Sequence, residues 1–301
     1  MLSEKTCIVT GGGQGIGEAV AKELAAAGAN VVVNDLGTSL TGEGEGIDPA
    51  AETVADIEAA GGTAVAHFGD VSSFDYTEEL VEDAVAEFGR VDGAVNFAGI
   101  LRDSISYKMT EEEWDQVIEV HLKGHFSLFR ALARQWRERA REEGGALEAS
   151  RSFVSVSSRS ALGNVGQINY GAAKAGVLGM TRTGARELDR YNVQVNALVP
   201  SAYTRMVSSI PEDQQSYTRE EMPPENVAPV VVYLMSDEGA GVTGWTFRAG
   251  GEGVGVISDP EIRRLGFQRG GWTAGDIADR FWDSVAEGLD KKNLERAGGS
   301  L

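Results

Sequence analysis

The chain has 301 residues, a hydrophobic fraction of 42% and a formal net charge of −19. A surface this acidic repels phosphate backbones, which argues against nucleic acid as a partner. No apolar run is long enough to span a bilayer and the N-terminus has no leader-like pattern, so a cytoplasmic protein without membrane contact is expected. Of the 27 basic residues only 7 are lysine. Acidic excess with few lysines resembles proteins of salt-loving organisms, whose carboxylates hold water and cations. An ordinary acidic protein from a GC-rich genome has the same balance. The single cysteine, Cys7, lies in an apolar run and reads as a small buried residue in a reducing compartment.

The first predicted strand, Thr6–Thr10, runs directly into Gly11-Gly-Gly-Gln14-Gly15-Ile16-Gly17 and then a helix from about Ile16. Glycines here permit a tight turn and let backbone approach a pyrophosphate, while the helix N-terminus offers free N–H groups and the positive end of its dipole. A glycine-rich loop alone is often only a turn; its place between the first strand and the first helix makes it a dinucleotide-site candidate. The second strand, Asn30–Asn34, is followed by Asp35 and Leu36. A carboxylate there accepts both adenosine-ribose hydroxyls and repels a 2′-phosphate. No Arg or Lys lies between Lys22 and Arg90, so NAD is expected rather than NADP. The plainer reading of Asp35 is a turn residue before Leu36-Gly37.

Pro49 after Asp48 marks a helix start. The third strand, Thr63–His67, leads to Asp70 and Val71, placed to meet the adenine; Asp70 can instead cap the helix from about Phe74, unless Ser72 or Ser73 does so. After the fourth strand, Gly93–Asn96, the residues Asn96, Ala98 and Gly99 follow, and Thr110 with Glu113 forms a capping-box signature. The fifth strand, Ser152–Val156, ends beside Ser157. Thirteen residues further on, Tyr170-Gly-Ala-Ala-Lys174 puts two polar groups on one face of a helix from about Asn169. Free tyrosine is a poor base at neutral pH, and a nearby ammonium lowers its pKa. Strands Val193–Leu198 and Thr246–Ala249, with a helix from about Glu225 between them, complete the pattern. Alternating strands and helices predict an α/β, doubly wound, seven-stranded parallel sheet.

Two regions exceed that architecture, the Gly- and Glu-rich loop Gly37–Asp48 and a C-terminal extension, 252–301, beyond a domain at 1–251. In the extension Thr273 and Asp276 form a second capping signal, expected to open a helix with Ile277, Phe281, Val285 and Leu289 on one face, packed on the core or a neighbouring subunit.

Together, Thr10-Gly-x3-Gly15-Ile-Gly17, Asn96-Phe-Ala-Gly99, Ser157, Tyr170-x3-Lys174 and Asn196-x3-Pro200 resemble the short-chain dehydrogenase/reductase family over about residues 3–251. The resemblance implies a Rossmann-like fold in a single domain and a cofactor site of Gly11, Gln14, Gly15, Ile16, Gly17, Asp35, Leu36, Asp70, Val71, Asn96, Ala98, Gly99 and Pro200. It implies that Ser157 binds the substrate oxygen, that Tyr170 transfers the proton, and that Lys174 holds the nicotinamide ribose and tunes Tyr170. The fourth catalytic position, usually Asn, is His121 here; its backbone carbonyl is expected to bind a water next to Lys174. A homodimer or homotetramer through Thr110–Glu143 and Asn169–Tyr191 is implied too.

Val120-His-Leu-Lys-Gly124 and Gly163-Asn-Val-Gly-Gln-Ile-Asn-Tyr170 resemble more closely the (3R)-hydroxyacyl-CoA dehydrogenase domain of peroxisomal multifunctional enzymes, without their hydratase domain. That implies oxidation of a 3-hydroxyacyl thioester. A 3-oxoacyl carrier-protein reductase, a dehydrogenase of hydroxysteroids or other alcohols, and a non-catalytic NAD-binding sensor or scaffold are the alternatives. His121 and His125 have i,i+4 spacing that can serve zinc, but with no Glu beside His121 and no Cys nearby no metal is expected; one histidine is read at the proton relay and the other in helix packing. Leu101–Lys108 and Ser201–Met222 are expected to flank the nicotinamide, with Tyr203, Met206 and Val207 as an apolar lid.

Overall fold

The computed structural model describes residues 1–38, 48–204 and 217–289; Met206, Val207 and most of the Gly37–Asp48 loop lie outside them. The chain divides into two compact units, residues 1–257 and 258–301.

In the first unit the strands are β1 (Thr6–Thr10), β2 (Asn30–Asp35), β3 (Thr63–Phe68), β4 (Gly93–Asn96), β5 (Arg151–Val156), β6 (Val193–Pro200), β7 (Thr246–Gly250) and β8 (Gly253–Ile257). They form one sheet in the order β3-β2-β1-β4-β5-β6-β7-β8. The first seven pair in parallel, as the alternation of strands and helices predicts. Unpredicted by sequence is the eighth strand, antiparallel to β7 after the turn Gly251-Glu252. Gly251 takes a φ of 56° there, a left-handed conformation that suits glycine.

Along β1 and β2, Cys7, Val9, Val31 and Val33 enter one apolar layer and Ile8 and Val32 the other. Successive side chains point to opposite faces, so a strand covered on both sides is apolar throughout. One layer is completed by α1 (Gly15–Ala26), α2 (Pro49–Ala59) and α7 (Ala228–Met235). The other contains α3 (Phe74–Phe88), α5 (Gly124–Glu142) and α6 (Ile168–Leu188). Cys7 is buried as a free thiol in the first layer.

Capping residues act where the sequence places them. Asp48 accepts from Ala51 N–H ahead of Pro49. Thr110 and Glu113 close a capping box on α4 (Glu111–Ile118). Ser73 caps α3, which leaves Asp70 out of that role. The stretch from Thr110 to Glu143 is not one helix, however. One π-helical turn, Glu119–Lys123, separates α4 from α5 and contains His121. Such turns recur at functional sites.

β1 is flanked by β2 on one side and β4 on the other. The chain leaves this centre first one way and then the other, so the crossover helices diverge and open a crevice at the carboxyl ends of β1 and β4. Thr10 stands opposite both Asn34 and Asn96, and Asn96 opposite Ser155, along that edge.

In the second unit, Thr273 and Asp276 cap α8 (Ala274–Arg280). The helix stops at Arg280 and 281–288 are turns, so Phe281, Val285 and Leu289 do not continue the helical face of Ile277. Ile277 and Leu289 are exposed. A cap fixes where a helix begins; this segment lacks an equally strong signal for its end.

Candidate active site

The glycine turn is shaped by close backbone approaches. Gly11 and Gly15 have φ values of 63° and 61°. A Cβ on Gly17 would stand 2.0 Å from the Gly11 carbonyl oxygen, and one on Gly11 would stand 2.5 Å from Ala98 N. Larger residues would therefore force apart the turn, the start of α1 and the Phe97-Ala98 segment. Gln14 precedes α1 in an extended conformation without a side-chain cap, so the first N–H groups of the helix are available to an anion. Ile16 packs against the apolar layer behind the turn.

Asp35 ends β2. Its two carboxylate oxygens accept from Gly13 N–H at 3.0 Å and from Gly37 N–H at 2.9 Å. Asp35 is thus both the turn residue and a carboxylate at the glycine turn, with lone pairs left for further donors. Leu36 beside it is exposed. On the same flank Asp70 accepts from Ser72 N–H and Val71 is buried. Pro200, at the end of β6, marks the opposite flank.

Asn96 is fully buried. Its Oδ1 accepts from Ala98 N–H, whereas its Nδ2 and the Thr10 hydroxyl have no partner within the protein. Buried polar groups are rarely left so. These groups, the free helix terminus and the glycine cradle fit a dinucleotide along the crevice.

The catalytic candidates meet where β5 and α6 come together. Ser157, Lys174 and His121 are buried and Tyr170 is partly so. Lys174 Nζ donates to the Val156 carbonyl at 2.7 Å and lies 5.6 Å from the Tyr170 ring centroid. Burial pushes the Lys174 ammonium down to about 7. It pushes the Tyr170 phenol up to about 12, against a lowering contact from the Ser158 hydroxyl. The expectation that Lys174 lowers the Tyr170 pKa is therefore not met in the free protein: loss of water around the phenol dominates.

Ser157 also differs from expectation. Its Oγ donates to the Lys174 carbonyl at 2.8 Å, and Ser158 is the hydroxyl against the phenol. Spacing finds the serine position but not its rotamer.

His121 packs edge-on against Tyr170, with ring centroids 4.8 Å apart. Its Nε2 lies 2.7 Å from the Ile100 carbonyl, and its Nδ1 has no partner. A Cβ on Gly99 would stand 2.3 Å from His121 Cε1, so glycine is needed for the ring to lie there. The His121 carbonyl, expected beside a water, accepts from His125 Nδ1 at 2.6 Å and keeps one lone pair for another donor. Both imidazoles are thus engaged with backbone, and among the described residues no group of three or more His, Cys, Asp or Glu is placed to hold a metal ion.

Sequence reasoning passed over Asn169. It is fully buried, and its Nδ2 donates to the carbonyls of Arg102 and Glu113, tying the 101–103 segment and α4 to the residue before Tyr170. Gln167 reaches Asp103 in the same place. The expected flank Leu101–Lys108 is thereby held against the start of α6.

Among relatives of known name, hydroxyacyl-CoA dehydrogenase ChsB1 of Mycobacterium tuberculosis is 39% identical over 87% of this chain and 82% of its own. Peroxisomal multifunctional enzyme A of Dictyostelium discoideum is 39% identical over 87% of this chain and 56% of its own. The crystal structure of a short chain dehydrogenase from Mycobacterium avium superposes with a TM-score of 0.82 at 40% identity, covering 95% of both chains. No helix among the described residues is long and apolar enough to cross a membrane. The short chain dehydrogenase family model matches residues 5–215. The chain belongs to this family of NAD(P)-using enzymes, and is an oxidoreductase acting on CH–OH groups.

Proposed function

We propose that the protein is an NAD-dependent dehydrogenase that oxidises the hydroxyl of a 3-hydroxyacyl-CoA to the 3-oxo compound. The observation that carries the chemistry is the convergence of Ser157, Tyr170 and Lys174 where β5 meets α6. The thioester substrate is supported by the likeness to a hydroxyacyl-CoA dehydrogenase over most of both chains.

Gly11, Gln14, Gly15, Ile16, Gly17, Asp35, Leu36, Asp70, Val71, Asn96, Ala98, Gly99, Tyr170, Lys174 and Pro200 would hold NAD. When bound, the cofactor would supply the hydride acceptor for the carbinol carbon. Tyr170 takes the hydroxyl proton as that carbon becomes a ketone. Ser157 turns from the Lys174 carbonyl to orient the substrate oxygen toward Tyr170. Lys174 supplies positive charge below the phenol, and His121 holds Ile100 and the edge of the Tyr170 ring in place. NAD rather than NADP is supported by Asp35 and by Lys22, the nearest cation in sequence, which is held by Glu18 and Asp56.

Purified protein mixed with NAD or NADP and a panel of hydroxyacyl-CoAs, alcohols and steroids is expected to form NADH fastest with a (3R)-hydroxyacyl-CoA. NADPH-driven reduction of a 3-oxoacyl carrier protein without NAD-linked oxidation would overturn the reading. Removing the carboxylate in Asp35→Ala shifts kcat/KM toward NADP by about tenfold, the effect of ~1.4 kcal/mol of lost repulsion. An unchanged cofactor ratio would move the selectivity elsewhere.

The same reading includes a cytoplasmic homodimer or homotetramer. The assembly is supported by exposed Trp114 on α4, Phe126 on α5, Trp245 before β7, and Val254 and Val256 on β8, apolar surface that a second copy would cover. The acidic surface supports a high-salt cytoplasm, for which the unfolding midpoint should rise from low to molar KCl.

A further inference from the structure

His125 is the one buried imidazole not used above. It lies in the first turn of α5, just past the π-helical turn. β4 ends at Asn96, opposite Ser155, so the next residue of β5, Val156, is beyond the paired part of β4. The Val156 N–H donates to His125 Nε2 at 3.1 Å, with the Asn96 carbonyl beside the ring. Nε2 is then an acceptor, so the proton of the neutral ring is on Nδ1. Nδ1–H donates to the His121 carbonyl at 2.6 Å.

These bonds join groups already placed around the reaction. His121 touches the Tyr170 ring at one end of the chain. At the other, Val156 uses its carbonyl to hold the Lys174 ammonium, and Lys174 uses its own carbonyl to hold Ser157. The path runs from Tyr170 through His121, His125 and Val156 to Lys174.

We propose that His125 is a positioning residue, a fixed neutral bridge between the π-helical turn and the end of β5 that sets where Lys174 stands beneath Tyr170. This rests on the reading of Tyr170 and Lys174 as the proton-transfer pair. Protonation would take away the Nε2 lone pair that the Val156 N–H uses and turn that nitrogen toward the Asn96 carbonyl instead, breaking the bond to β5. Burial, then Lys174 on α6 and His121 on the π-helical turn, keep the His125 pKa well below its ordinary value, against the His121 and Asn96 carbonyls, which favour the charged ring. A hydrophobic side chain fills this space but makes neither bond. An amide carries a donor and an acceptor side by side, as the imidazole does.

The test compares His125→Phe with His125→Gln. In the phenylalanine variant kcat for NAD-linked oxidation falls about tenfold, the loss of roughly one hydrogen bond's worth of positioning. KM changes less, and the pH–rate profile of the Tyr170–Lys174 pair moves. The glutamine variant recovers most of kcat and the wild-type profile. A phenylalanine variant with unchanged kcat and profile overturns the proposal, as does a loss of rate with an unmoved profile and no recovery by glutamine. Nitrogen-15 NMR of the wild-type protein tests it without any variant: His125 should remain the neutral Nδ1–H tautomer from pH 5 to 9. An Nε2–H tautomer, or titration near the usual histidine value, overturns it. Failure of the Tyr170–Lys174 reading would show separately, as full turnover by Tyr170→Phe with the tautomer unaffected.

Discussion

Tyr170→Phe is expected to lower kcat by roughly 10²–10⁴-fold, the usual share of general acid–base catalysis, while NAD binding and melting temperature stay close to wild type. The substitution removes one hydroxyl and keeps the ring that packs against His121. The free protein holds that hydroxyl at about 12 because water is excluded from it. At neutral pH it is therefore protonated, the form that donates to a ketone oxygen. Accepting a proton from an alcohol requires the phenolate, whose fraction grows tenfold per pH unit below the pKa. Oxidation by the wild-type protein should accordingly speed up from about pH 7 to about pH 10, and ketone reduction should not. A phenylalanine variant that kept both its turnover and this pH dependence would falsify the proton-transfer role.

Much of the crevice was legible because its signals are local. The strands at Thr6 and Asn30 are buried on both faces, so the apolar runs at their centres are unbroken. Helix starts announce themselves through Asp48-Pro49, Thr110 with Glu113, and Thr273 with Asp276. The glycine turn and the Tyr170–Lys174 spacing follow from the same short-range geometry.

The remainder depends on contacts distant in sequence. Gly253-Val-Gly-Val-Ile257 has glycines where a strand normally shows side chains, and it becomes a strand by pairing with β7. Nothing in Glu119–Lys123 resembles a helix breaker; the π-helical turn coincides with His121 packing on Ile100 and Tyr170. The i,i+4 spacing correctly brings Lys174 near Tyr170. It cannot reveal that burial raises the phenol's pKa. The same limit applies to Ser157 and Ser158, neighbours whose hydroxyls have different partners.

That burial also makes Lys174 a cost to the fold, which Lys174→Met should expose. The ammonium is desolvated, with the Val156 carbonyl as its hydrogen-bond partner. Its folded pKa is about 7, against ~10.4 for an unfolded lysine. Below about pH 7 both states carry the charge, and the folded protein bears the whole penalty of burying it. Between the two values the folded state binds fewer protons than the unfolded one, so this penalty shrinks as pH rises; above ~10.4 it is gone. Methionine is close in shape and uncharged. It leaves the Val156 carbonyl unpaired at every pH, a constant loss of about 1–3 kcal/mol. The melting temperature of the variant minus that of wild type should therefore be highest near pH 6 and fall by several degrees toward pH 10, on the scale of about 2–4 °C per kcal/mol for a domain of this size. Near pH 6, where wild-type Lys174 carries its charge, kcat should be ~10²-fold or more below wild type, because the charge beside Tyr170 is lost whatever the stability. A difference in melting temperature that does not change with pH would mean that Lys174 is hydrated or paired in the folded protein. Full activity in the variant would remove Lys174 from the site. A residue that weakens the fold most in the charged form that catalysis needs is held there by the surrounding bonds, and of those the structure supplies Val156, fixed in turn by His125.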